Sequence, residues 1–400
     1  MRNKHFVTVA AIVVVLVCLV SVAGTYLITK SIYEPRLDTD ALPLTDFAEV
    51  EQIINDYYLR DYDMENLQYA ALKAMVAELN DPYSAYYTPE EYAALTQGLS
   101  GEYYGLGMVI VIDEETGYAK VQHFLNGSPA EAAGVQEGDY IISIDGQDVK
   151  GLSLQEIGSL CLGEDGEPIT VGVLRAGDTL TFDMKRGAIS RDMASYAMLD
   201  DSVGYLDIVQ FGGNCETLFG EAMDYFQENG AQGLVIDLRN NPGGYLDVVV
   251  RMLDKLLPEG TLVYTEDKQG KRETYTSDAS CIKIPLVLLV NGNTASAAEI
   301  FAGAVQDYGW GAVVGTTTYG KGVVQNVIPL ESTGGGIKIT SSEYFTPNGR
   351  SIDGNGIYPD VYVGAGPAVV TDPTLDAFLS DPQVARGLVV LQGEMAGANG

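Results

Sequence analysis

The stretch Pro285-Leu286-Val287-Leu288-Leu289-Val290-Asn291-Gly292-Asn293-Thr294-Ala295-Ser296-Ala297-Ala298-Glu299 decides the fold. Its apolar run reads as a buried strand from Leu286 to Asn291, Gly292-Asn293-Thr294 as a loop, and the residues from Ser296 to about Tyr308 as a helix. Upstream the same alternation recurs: strand Val203 to Val209, a helix near Glu216 to Gln227, strand Leu234 to Leu238, and a helix near Tyr245 to Leu257. Strand and helix in turn predict α/β packing with at least part of the sheet parallel. In such sheets ligands sit beyond the carboxyl ends of the strands. Two glycine-rich segments fall there, Asn240-Asn241-Pro242-Gly243-Gly244 and Tyr319-Gly320-Lys321-Gly322.

An acyl-transfer site needs a hydroxyl nucleophile, a proton acceptor and donors where negative oxygen develops. The chain holds only two histidines, His5 before a long apolar run and His123 far upstream in a separate module. A Ser-His-Asp triad therefore lacks material, and Ser296 with Lys321 points to a serine hydrolase run by lysine. Ser296 opens a helix whose first-turn N–H groups have no intrahelical partner, which makes the Ala297 N–H a natural oxyanion donor. Gly243 is the expected second donor, with Gly244 behind it, because a residue without a β-carbon lets the main chain approach a substrate. As a base Lys321 must be neutral, and desolvation lowers its pKa. Gln325 is placed to orient the amine without stabilising its charged form as a carboxylate would.

Composition narrows the function further. A 400-residue chain with 46% hydrophobic content supports two or three packed domains. Its formal charge of −32, from 23 basic against 55 acidic residues, repels phosphate backbones and argues against nucleic acid. Cys18, Cys161, Cys215 and Cys281 are widely spaced, with no cluster of zinc-ligand type. Neither metal nor cofactor is expected. From Phe6 to Ile28 no charged residue occurs, a length that suits a membrane-spanning helix and implies export. Orientation from flanking charge is nearly a tie, with Arg2 and Lys4 before the run and Lys30 and Arg36 after it. Residues 44 to 97 read as helical, broken at Asn80-Asp81-Pro82, with a fresh start at Thr88-Pro89-Glu90-Glu91 where Thr88 and Glu91 form a capping box. The tyrosines of this part suit packing within the chain better than a dimer surface.

Between these regions short strands are expected at Met108–Ile112, Ala119–Gln122, Tyr140–Ile144 and Ile169–Leu174, with helices at Ser128–Gly134 and Gln155–Leu162. This part resembles a PDZ domain, on Tyr104-Gly105-Leu106-Gly107-Met108, Gly127-Ser128-Pro129-Ala130, Ala133-Gly134-Val135, Gly138-Asp139 and Ile144-Asp145-Gly146. Such a module captures peptides, which makes Gly105, Leu106, Gly107 and Met108 the expected loop for a terminal carboxylate.

The chain as a whole, over about residues 45 to 365, resembles the carboxyl-terminal processing proteases, serine endopeptidases with a PDZ domain and a Ser-Lys dyad. The matching segments are Asp81-Pro82-Tyr83-Ser84, Asp237 to Gly244, Thr294 to Glu299, Gly320-Lys321-Gly322 with Gln325, Thr346 to Arg350, and Gly356 to Asp360. Ala298 stands where many relatives have serine. The resemblance implies Ser296 as nucleophile, Lys321 as general base, Gln325 as the residue that positions it, and Gly243 with Ala297 as the oxyanion hole.

Together these readings give a multidomain α/β protein: a membrane anchor (1–30), a helical segment (31–100), a PDZ-like β-rich domain (101–187), an α/β protease core of crotonase/Clp-like type (188–365) and a tail (366–400), with a flexible glycine- and alanine-rich end. The expected activity is cleavage of protein or peptide substrates with exposed carboxyl termini by an anchored, extracytoplasmic enzyme. The resemblance carries that orientation and suggests a homodimer. Arg175, closing the last apolar strand of the PDZ-like part, is expected to couple tail binding to assembly of the site. A silent peptide-binding scaffold and an acyl-CoA enzyme of the crotonase type are the alternatives, and a PDZ-like module and an anchor fit the second poorly.

Overall fold

The computed structural model describes residues 44–100, 102–364 and 380–398. The apolar run Phe6–Ile28 lies outside the described residues, among which no helix is long and apolar enough to cross a membrane. The chain divides into two compact units, Met1–Tyr69 and Ala70–Gly400. In the first, helix α1 (Leu44–Tyr57) is tied to α2 (Met64–Ala77) by Gln68, whose amide donates to Glu51 at 2.8 Å. Phe47, Val50 and Ile53 form an exposed apolar stripe along α1.

The second unit begins within α2 and continues through strand β1 (Ala85–Tyr87) to α3 (Pro89–Ser100). The capping box forms: Thr88 N–H donates to Glu91 at 3.0 Å and Glu91 N–H to the Thr88 hydroxyl at 3.3 Å. The PDZ-like module follows. Strand β2 (Glu102–Gly105) enters it, and β3 (Met108–Ile112), β4 (Ala119–Phe124), α4 (Pro129–Ala133), β5 (Tyr140–Ile144), β6 (Gln147–Asp148), α5 (Leu154–Cys161), β7 (Pro168–Arg175) and β8 (Asp178–Lys185) build it. The sheet order is β3-β4-β5-β7-β8, all antiparallel, around buried Val121, Ile141, Ile157, Val171 and Val173. Ser128 caps α4 and Gly134 ends it with φ 101°, a conformation that glycine takes without steric cost. Strand β9 (Gly187–Ser190) leaves the module and pairs antiparallel with β2, so entry and exit form one neck. Arg175 is committed inside the module. It grips the Asp139 carboxylate with two nitrogens, each at 2.7 Å, and donates to the Gly134 carbonyl at 2.9 Å.

The remaining elements are β10 (Ala194–Met198), β11 (Val203–Ile208), α6 (Cys215–Glu228), β12 (Gly233–Asp237), α7 (Leu246–Leu256), β13 (Gly260–Asp267), β14 (Arg272–Ser277), β15 (Leu286–Val290), α8 (Ala297–Asp307), β16 (Gly311–Gly315), β17 (Val323–Pro329), β18 (Gly336–Phe345), β19 (Val361–Tyr362) and α9 (Pro382–Ala398). One sheet has the order β10-β11-β12-β15-β16-β19, parallel except for β10. Its central strands alternate between two cores. Leu286, Leu288 and Val290 join Phe219, Phe226 and Phe301 on the face of α6 and α8, whereas Val287 and Leu289 face Val384 and Leu391 of α9. A second, antiparallel sheet joins β1-β18-β13-β14, with β17 along β18. These half-exposed strands carry no unbroken apolar run and were not foreseen.

Within the expected tail the glycine- and alanine-rich end is ordered as far as Ala398: Pro382–Ala398 is a helix that covers one face of the main sheet. Asp381 at its start pairs with Arg239, which also pairs with Asp237 at 2.6 Å, and all three side chains are almost fully buried. Leu391→Ala should cost about 2–5 kcal/mol in denaturant unfolding, because Leu391 is fully buried. The neighbouring Val389→Ala, on a side chain 56% exposed, should change stability by less than about 0.5 kcal/mol.

Candidate active site

The parallel order places the carboxyl ends of β12 and β15 side by side, and so the loops that follow them. After β15 the chain turns sharply into α8, and Ser296 at that corner has φ 57° and ψ −119°. A non-glycine residue there carries strain of about 1–3 kcal/mol and persists only where its surroundings hold it. Glu299 does much of this. Its side chain has no solvent exposure, and its two oxygens accept four donors: Ser296 N–H at 2.8 Å, Lys321 N–H at 2.9 Å, Gly320 N–H at 2.7 Å and the Thr318 hydroxyl at 2.5 Å. One carboxylate therefore holds the main chain of both the serine and the lysine. Tyr344, 1% exposed, brings its hydroxyl to the carbonyls of the same two residues, at 3.1 Å from Ser296 O and 2.5 Å from Lys321 O. Burial pushes its phenol well above the ordinary value, which keeps it a donor.

Two glycines allow this approach. A β-carbon on Gly243 would lie 2.8 Å from the Ser296 β-carbon, and one on Gly322 would lie 2.4 Å from the Asp353 nitrogen. Neither position has room for a side chain.

Ser296, Ala297, Lys321 and Gln325 line one cleft of 450 Å³. Leu95, Leu99, Ile300 and Val324 supply apolar wall. The Ser296 hydroxyl does not cap α8, and no hydrogen bond joins it to the Lys321 amine. That amine instead lies 5.0 Å from the centre of the Tyr83 ring. Its pKa is lowered from the ordinary lysine value, first by burial and then by the Lys338 ammonium, against the opposing pull of Glu299 and Asp81. Tyr83 is itself pushed up to about 12, by burial and by its hydrogen bond with Tyr319, so it offers a neutral ring.

Two expectations about side chains differ from this arrangement. Gln325 lines the cleft, but its amide donates weakly to the Thr340 hydroxyl at 3.3 Å and to Val323 O at 3.4 Å, and does not reach Lys321. Thr340 also bonds Asp81, and its N–H donates to Ser84 at 3.0 Å, so Gln325 belongs to the same polar group as the Asp81-Pro82-Tyr83-Ser84 turn. The second oxyanion donor also needs correction. The Gly243 N–H donates to the Asn241 side-chain oxygen at 2.8 Å, and buried Asn241 is anchored in turn by its amide on Ile208 O at 2.7 Å. Among the described residues the Gly244 N–H has no acceptor, and it is Gly244 that lines the cleft.

Glu299, Tyr344, Tyr83 and Asn241 are site residues that residue-by-residue reading missed. For Glu299 a signal existed, since Ser296-x-x-Glu299 has the spacing of a capping box. Tyr83 lies in the matching segment Asp81-Pro82-Tyr83-Ser84 but was given no role there, and Tyr344, on a distant strand, carried no signal.

In the PDZ-like module Gly105, Leu106, Gly107 and Met108 border an apolar groove of 290 Å³ that also touches Leu125 and Leu154. The Leu106 carbonyl is held by the Ser128 hydroxyl at 2.8 Å and the Ala130 N–H at 3.1 Å. His123 is an exposed residue of β4 in this module and does not line the cleft that holds Ser296 and Lys321. Among the described residues no group of three or more His, Cys, Asp or Glu side chains could hold a metal ion.

Residues 202–363 match Peptidase family S41 and residues 125–175 match the PDZ domain. A carboxyl-terminal-processing protease of Synechocystis is 40% identical over 303 residues, covering 74% of this chain and 70% of its own. One from Picosynechococcus is 37% identical, with 75% and 73% covered. Among solved structures, the photosystem II D1 C-terminal processing protease is 31% identical with a TM-score of 0.52, covering 85% of this chain and 92% of that one. A relative of this identity and coverage, and the strained serine on an α/β sheet behind a PDZ module, lead to one conclusion: the chain is a serine-type peptidase of family S41, belonging with the carboxyl-terminal-processing proteases.

Proposed function

We propose that the enzyme cleaves protein tails through a Ser296–Lys321 dyad and captures the free carboxyl end in the PDZ-like groove. The observation that carries this reading is the shared anchoring of both backbones on buried Glu299. With its pKa depressed, the Lys321 amine can take the proton of the Ser296 hydroxyl as that oxygen attacks the scissile carbonyl. The Ala297 N–H, at the start of α8, and the unpaired Gly244 N–H serve the developing oxyanion. Lys321 then passes its proton to the leaving amine, and the neutral Lys321 amine so regenerated takes a proton from the water that attacks the acyl-enzyme, returning it to the Ser296 oxygen as the acid is released. The pair must first close, with the lysine leaving the Tyr83 ring and coming within hydrogen-bond reach of the serine; Gln325 is near enough in the cleft to steady it there. At the other end, backbone N–H groups of the Gly105–Met108 loop receive the carboxylate while the groove takes an apolar last side chain.

The uncharged run Phe6–Ile28 supports anchoring in the cell membrane with the catalytic part outside the cytoplasm, and the stripe Phe47, Val50 and Ile53 supports pairing of two copies. The full chain should stay in the membrane pellet after alkaline carbonate extraction and sediment as a dimer once solubilised. Release by carbonate would remove the first assignment, and a monomer the second.

Ser296→Ala should abolish both peptide cleavage and fluorophosphonate labelling. Lys321→Ala should lower kcat by about 10²–10⁴-fold in a peptide assay. Amidation of a substrate's carboxyl end should lower kcat/KM by about 10–100-fold, the value of a charge-assisted hydrogen bond. Equal cleavage of free and amidated peptides would remove tail capture while leaving the dyad intact. Because the neutral amine is the active form, kcat/KM should rise with pH and level off below the pH at which a free lysine loses its proton.

A further inference from the structure

The catalytic cleft is electrostatically unlike the rest of the chain. The protein carries 55 acidic against 23 basic residues, yet the charged side chains lining this cleft are two lysines, Lys321 and Lys338, and no carboxylate. Catalysis needs Lys321 neutral, which leaves Lys338 as the cation of the cleft. Lys338 lies on β18, paired with Val327 of β17 on one side and Ala85 of β1 on the other. It is half-buried, its ammonium sits 5.6 Å from the centre of the Tyr87 ring, and it makes no ion pair with any described carboxylate. The ring holds the ammonium in place without neutralising it. An oriented, half-desolvated and unpaired cation in a substrate cleft has a strong preference for an anion, and the acidity of the whole chain makes a local exception of this kind selective.

We infer that Lys338 is a specificity-determining residue that receives a carboxylate of the substrate close to the scissile bond. The cleft follows β17, whose Val323, Val324, Asn326 and Val327 line it, and Val327 lies beside Lys338. An extended substrate lying along β17 would present its acidic group within a few residues of the bond that is cut. The carboxylate can be an Asp or Glu side chain or the substrate's own terminus, when the tail to be removed is that short. The inference rests on Ser296 and Lys321 being the reacting pair.

The test uses the full-length enzyme and peptides of one parent sequence. One series moves a single Glu, or the matched Gln, through each position around the cleaved bond with the terminus amidated. A second keeps Gln and shortens the tail stepwise until a free carboxylate lies within a few residues of the bond. Wild type should prefer Glu over Gln by about tenfold in kcat/KM at one position, or the short free tail over its amide by a similar factor, and which series responds identifies the source. In Lys338→Gln the ratio should fall to about one, in Lys338→Arg it should persist, and in Lys338→Glu a Lys-containing peptide should become preferred. Wild type showing no preference in either series, or a preference that persists in Lys338→Gln, overturns the inference. Cleavage that survives in Ser296→Ala overturns instead the dyad on which it rests.

Discussion

A carboxylate without access to water organises this enzyme. Burying Glu299 alone would cost several kcal/mol, and the cost is offset because each oxygen of the carboxylate takes two donors. Two of the four are the N–H groups of Ser296 and Lys321. Satisfying the buried carboxylate and registering the Ser296 main chain against that of Lys321 are therefore one physical condition. Tyr344 applies the complementary constraint from the other end of each residue, on the carbonyls. A loop after β15 and a loop before β17 are thus held in register by hydrogen bonds that neither loop could make alone.

This anchoring explains how the strained corner at Ser296 persists. The left-handed backbone lifts the hydroxyl away from its own helix, so it is not consumed as a cap. Gly243 packs against it so closely that any side chain would collide with the serine. Main chain is pinned here by hydrogen bonds, whereas the side chains are not joined: the Ser296 hydroxyl has no bond to the Lys321 amine, and the amine lies over an aromatic ring. In the proposed mechanism the last alignment of the two side chains falls to substrate binding, a pattern common where catalytic contacts tighten only in the complex.

Much of the scaffold was legible from periodicity. The strands Met108–Ile112, Tyr140–Ile144 and Val203–Ile208 fall within a residue of the expected spans, and the Thr88 cap forms as read. These features depend on neighbours in sequence, which is what periodicity and capping report. The helix Pro382–Ala398 falls in the expected tail because its composition, with three glycines and three alanines, carries little amphipathic signal; it covers the far face of a sheet whose residues lie far upstream. The same limit governs the site. Choosing Gly243 as oxyanion donor assumed a free N–H, and only the fold shows that Asn241 turns back to take it. Assigning Gln325 to Lys321 assumed that nearness in sequence means contact, whereas the amide faces a threonine of the neighbouring strand.

The sequence by itself pointed to a serine-type peptidase and supplied the residues from which a lysine-run mechanism is proposed. With two histidines in 400 residues, a hydroxyl at a strand-to-helix corner and a glycine-flanked lysine leave few other ways to activate a serine. It also determined the local elements, since helix caps, apolar runs and glycine turns act over a few residues. Tertiary structure alone decided which groups hold the reactive pair and what else shares their cleft. The reach of Glu299 to Lys321, and the contacts of Tyr344, Tyr83 and Lys338, cross gaps that no local pattern spans, because burial, hydrogen-bond direction and the pairing of charges are properties of space and not of the chain's order.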